Sequence, residues 1–88
     1  MSYCYETERA NLFTEQGVET LTAIRDKARE LLRKAGAFSA GHAMESATGS
    51  SWTMLAALDY LVEKGEIVRV TDKGSTWGQR QIFTSPNR

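Results

Sequence analysis

Cysteine, histidine and proline are almost missing from this chain of 88 residues, each occurring once. With Cys4 as the only thiol there is no intramolecular disulfide, and with His42 as the only imidazole no Cys/His cluster has zinc-site spacing. Neither a covalent staple nor a metal ion is therefore expected to support the fold, and no cofactor is expected. A reducing, cytoplasmic setting suits such a chain. Long apolar runs are also missing: Met1 is followed by polar residues and then by Glu6, Glu8 and Arg9, and no stretch has the length of a signal peptide's core or of a membrane span. No membrane partner is expected. Net charge is the last absence. Eleven Lys and Arg balance eleven Asp and Glu, which argues against the strongly basic surface of a non-specific nucleic-acid binder.

What is present is the composition of a folding chain. At 41% hydrophobic and 25% charged, it lies outside the range of disordered tails, and its length suits one domain with a small core. The charge is blocked along the chain. Residues 1–24 carry four Glu against Arg9, whereas 25–34 carry Arg25, Lys27, Arg29, Arg33 and Lys34 against Asp26 and Glu30. Acid is in excess again over 35–68, and after it Arg69, Lys73, Arg80 and Arg88 face only Asp72. The two basic blocks are where phosphate contacts would be sought.

Residues 1–13 show no clear period and read as an arm, with a helical turn around Glu6 to Leu12. From Thr14 onward, Val18, Leu21, Ile24, Ala28, Leu31, Leu32 and Ala35 recur at intervals of three and four, which lays one apolar stripe along a helix. Thr14 is its candidate N-cap and Gly36 its stop. Ala37 and Phe38 form a short extended link. Ser39 then caps a brief second helix, Gly49 breaks the chain, and Ser50 or Ser51 caps a third helix with Met54, Leu58, Leu61 and Val62 on one face. Gly65 ends it. After that, Ile67, Arg69 and Thr71 alternate with Val68 and Val70 in the period of a strand, residues 72–75 turn, and residues 79–84 supply a second strand. Residues 85–88 read as a frayed tail.

Ser50-Ser51-Trp52-Thr53 opening the third helix, and Leu58-x-x-Leu61-Val62-Glu63-Lys64-Gly65-Glu66-Ile67-Val68-Arg69 leading into the strands, carry a resemblance. The stretch from Phe38 to Phe83 resembles the winged helix-turn-helix superfamily. The resemblance implies an α+β domain over 14–84, three helices followed by a two-stranded hairpin wing. It also implies a third helix lying in the major groove of DNA, with the wing reaching adjacent backbone. Carried onto this sequence, it makes Ser50, Ser51, Trp52, Thr53, Leu55, Ala56 and Asp59 the groove-facing positions, double-stranded DNA the partner, and transcriptional regulation the role; Ser50, Ser51, Trp52 and Thr53, with Arg69, Lys73, Trp77 and Arg80 of the expected wing, are the candidate DNA-binding residues. The sequence departs from the family's chemistry in one respect. No Arg, Lys, Asn or Gln, the side chains that bond base edges in pairs, occurs from Ser50 to Val62, and Asp59 would repel phosphate. That departure raises the alternative of a protein-interaction or homodimer module, in which Trp52, Leu55, Ala56 and Tyr60 form an apolar patch.

Each candidate has a plainer reading. Trp52 either meets a partner or packs over the neighbouring turn, and Trp77 either tips the wing or folds back on the sheet. Arg69, Lys73 and Arg80 either touch phosphate or guard an edge strand against aggregation. Arg25, Arg29 and Arg33 are better explained as a solvated helix flank with intrahelical pairs such as Glu30 to Lys34. Enzyme chemistry has little to stand on, since His42 has no acid beside it, no Gly-x-Ser-x-Gly elbow is present, and Gly74 to Gly78 lacks the ending of a phosphate loop. No catalytic residue is expected. The expected helices span about 15–35, 40–47 and 51–64, and the strands about 66–71 and 79–84. The expected core is Val18, Leu21, Ile24, Ala28, Leu31, Leu32, Phe38, Met44, Met54, Leu58, Leu61, Ile67 and Phe83.

Overall fold

The computed structural model describes residues 4–45, 47, 49–70 and 81–86. Among these the chain runs through α1 (Tyr5–Glu8), a 3₁₀ segment (Arg9–Phe13), α2 (Glu15–Ala35), β1 (Ala37–Ser39), α3 (Ala40–Met44), α4 (Ser51–Glu63), β2 (Val68–Arg69) and β3 (Ile82–Thr84). The class is α+β. Four α-helices and a three-stranded sheet replace the expected three helices and two strands, because α1 and β1 are too short to show a period.

Local chemistry sets the limits of α2. The Thr14 Oγ1 accepts from the Gly17 amide at 3.0 Å and donates to the Asn11 carbonyl at 2.9 Å, so one hydroxyl closes the 3₁₀ segment and caps the helix. At the other end Gly36 takes φ 80°, a left-handed conformation suited to a residue without Cβ, and its amide donates to Leu32 at 2.9 Å. Gly17, Thr20, Ile24 and Ala28 form the buried line. Val18 was expected in the core and is 48% exposed. At about 100° of turn per residue, it sits roughly 115° round the helix from the middle of the buried line. Its place is filled from outside the helix, by Leu12 of the 3₁₀ segment, which has no exposed surface. That segment crosses α2 at Gly17, where a Cβ would overlap the Asn11 carbonyl oxygen and lie 2.8 Å from the Leu12 Cα.

The central element is α4. Ser50 caps it, its Oγ accepting from the Thr53 amide at 3.1 Å. Ala56, Ala57, Leu58 and Leu61 are buried, while Met54, Leu55, Tyr60 and Val62 pack against the core from its margins. A helix apolar on most of its circumference must be surrounded. Here α2, α3, α1 and the 3₁₀ segment surround it.

The sheet is antiparallel with β3 between β1 and β2. Phe38 lies opposite Phe83 and Arg69 lies opposite Phe83 from the other side, so these three share the inner face. The two phenyl rings stack at 5.5 Å between centroids, and full burial of a ring such as Phe83 is worth about 1.5–3 kcal/mol. The helices α3 and α4 are shorter than expected by three residues and one. Of the expected strands, 66–67 and 70 lie outside β2, 81 lies outside β3, and residues 71–80 lie outside those described.

Candidate nucleic-acid interface

The first turn of α4 stands open. Ser50 and Ser51 are exposed, and Trp52, Thr53, Met54 and Leu55 are half-buried. Met54 and Leu55 pack against the core from this turn. The hydroxyls are partly spoken for, because Ser50 Oγ and Thr53 Oγ1 lie 2.9 Å apart and bond to each other as well as capping the helix. Between α3 and this turn runs a groove of about 560 Å³, lined by Ser39, Gly41, His42, Met44, Glu45, Ser51 and Met54. A smaller polar hollow of about 250 Å³ lies where α2 and α4 begin, with Thr14, Thr20, Ser50 and Thr53 among its lining.

Two candidate groups look different once their neighbours are known. Arg69 was expected to reach phosphate from the wing, but its side chain turns inward and keeps 17% of its surface. Its guanidinium pairs with the Asp59 carboxylate of α4, donates from Nε to the Gln81 side chain at 2.8 Å and lies 5.6 Å from the centre of the Phe83 ring. The alternation carried the missed signal: Arg69 is two residues from Ile67, so a strand that buries Ile67 also turns Arg69 inward. The same pairing neutralises Asp59, the charge expected to repel DNA. Of the apolar patch, Ala56 has no exposed surface and drops out. Tyr60 is covered, with the Phe13 ring edge-on at 5.7 Å, the Arg9 guanidinium at 5.4 Å and the Lys64 ammonium at 5.5 Å. Trp52 and Leu55 are what is left of it. Lys73, Trp77 and Arg80 lie outside the described residues.

Ion pairs engage most of the described cations. Arg9 pairs with Glu63 and Arg29 with Glu66, both at 3.1 Å, while Glu30 takes Lys34 at 2.9 Å and Lys27 at 3.8 Å. Arg25 approaches Asp26 at 4.0 Å, and Arg69 completes the set with Asp59. The Lys34 hydrogen bond, helped by Lys27, holds Glu30 below the usual carboxylate range. Glu63 is held low by the Tyr5 hydroxyl, which donates to it at 2.6 Å, and next by Arg9. Burial and then that same carboxylate push the Tyr5 phenol up to about 12. The described residues hold eight Lys and Arg against ten Asp and Glu, a net charge of −2. Lys73, Arg80 and Arg88 against Asp72 make the rest of the chain +2. Among the described residues, no three His, Cys, Asp or Glu side chains are grouped to hold a metal ion, and no helix is long and apolar enough to cross a membrane.

No family model matches the chain, and neither a curated protein nor a solved structure matches it.

Proposed function

We propose that this chain is a winged-helix domain that binds double-stranded DNA, in the manner of a small transcriptional regulator. The observation that carries the reading is the open first turn of α4, on a helix tied through Asp59 and Arg69 to strand β2. The element order supports it too, since a strand between the first long helix and α3 pairs with the last strand, and β2 follows α4. In this reading Ser50, Ser51, Trp52 and Thr53 face the duplex. Lys73 and Arg80 supply the cationic contacts, because the described cations are largely engaged by carboxylates.

The reading predicts a small electrostatic footprint. Titration of labelled duplex at several salt concentrations should give log affinity falling with log salt at a slope of about −0.9 for each phosphate contact, hence about −2 for two cations. Lys73→Ala should remove about one unit of that slope. Absence of duplex binding at low salt would falsify the reading.

One observation favours a second reading, a protein-interaction or dimerisation module. Trp52 is half-buried, in the turn that borders a groove carrying Met44 and Met54. Sedimentation of the free protein discriminates, because a dimer that Trp52→Ala dissociates supports this module over the DNA reading.

A further inference from the structure

The contact that removes Arg69 from the list of phosphate ligands also ties two parts of the molecule together. From Glu63, the last residue of α4, the chain reaches Val68 of β2 through a short connection that includes the buried Ile67. On its far side β3 is already paired with β1 and Phe83 is buried, so β2 is the edge whose placement against α4 is left to be fixed. Ten residues apart in sequence, Asp59 and Arg69 join that edge directly to α4. The guanidinium suits the task because it is a planar fork with donors on several edges. Here the fork is held by a carboxylate from α4, by an amide oxygen at 2.8 Å from Gln81 and by the Phe83 ring beside it. Both charged side chains are shielded, with 17% of Arg69 and 11% of Asp59 exposed.

We propose that Asp59, Arg69 and Gln81 form a positioning cluster that fixes the angle between α4 and the β2 edge of the sheet, so that both meet one duplex. The proposal rests on the DNA reading above for its purpose, though not for its geometry. The three residues are positioning residues and touch no phosphate. The sign of one substitution separates this role from the obvious alternative. An aspartate that merely repelled DNA would weaken binding, and Asp59→Asn would tighten it. A positioning aspartate gives the opposite result, because its loss releases the guanidinium and with it the angle.

The test uses the full chain with Cys4→Ser, carrying spin labels at Ser51→Cys and Val68→Cys, both exposed positions on the two parts. Asp59→Asn should broaden the distribution of label distances, and in the chain without labels it should weaken duplex binding by about tenfold, the ratio that 1.4 kcal/mol makes, with the salt slope unchanged. The exchanged pair, Asp59→Arg with Arg69→Asp, should narrow the distribution and restore affinity. A distribution as narrow in Asp59→Asn as in the parent overturns the proposal, as does tighter binding. If Asp59→Asn does not fold, the exchanged pair decides, a narrow distribution supporting the proposal and a broad one overturning it. Absence of duplex binding in the parent without labels overturns the DNA reading and leaves the cluster to be decided by the label distances.

Discussion

At its C-terminal end α4 is wrapped by the N-terminal segment, whereas at its N-terminal end it stands open beside α3. The wrapping is polar outside and apolar inside: Tyr5 and Arg9 hold Glu63, Arg9 lies over the Phe13 and Tyr60 rings, and Leu12 is sealed beneath. The open end has Ser50 and Ser51 at its surface and Trp52 partly exposed. Both ends carry an aromatic beside aliphatic side chains, Trp52 with Met54 and Tyr60 with Val62, so composition along the helix does not say which apolar residues are surface. Coverage decides, and here a segment without periodicity does the covering.

The comparison can be broken most directly at the wrapped end. Leu12→Ala empties a fully buried site and should cost about 2–5 kcal/mol, read as a lower urea midpoint. A loss below about 1 kcal/mol would mean that the segment merely rests on α4. A smaller effect, given as a direction, is expected from pH. The folded state holds Glu63 low, so its contribution is present above the ordinary value of 4.5 and is lost as pH falls through the lower folded value. Tyr5 is raised, so its contribution is complete below 10 and is lost as pH rises toward about 12. Denaturation curves across pH should therefore slope at both extremes, and Tyr5→Phe should flatten the alkaline limb; an unchanged limb would remove Tyr5 from the clamp. The smallest stability effect belongs to the open end. Trp52→Ala should shift stability by less than about 1 kcal/mol while weakening partner binding, and a larger loss would make Trp52 a packing residue.

Much of the framework was legible because it is written in periods and caps. The apolar stripe of α2, Thr14 at its start and Gly36 at its end follow from spacing and residue type, as does Ser50 at the start of α4. What escaped was short or non-local. Leu12 lies in a five-residue 3₁₀ segment, too short to repeat, and β1 is a three-residue strand whose partner comes more than forty residues later. Val18 carried the right spacing but sat off the face that the 3₁₀ segment and α4 define. At the candidate site, Ala56 looked like surface only while the 3.6-residue period was applied to one face, and a helix surrounded by four neighbours has more than one. Arg69 is the instructive case, since its strand alternation was visible and its charge outweighed it in the reading.

The close crossing at Gly17 has a consequence for how the sequence tolerates change. Intrinsic helix propensity favours alanine over glycine by about 1 kcal/mol inside a helix, so position 17, early in a 21-residue helix, would look like a site for easy improvement. The Asn11 carbonyl occupies the space that any side chain would need, so the helix's poorest former here is the residue that lets the N-terminal segment dock at all. A substitution ranking by propensity would invert the true order at this position. An unbiased library should return glycine there, and at the neighbouring exposed Val18 it should return almost anything that does not break the helix.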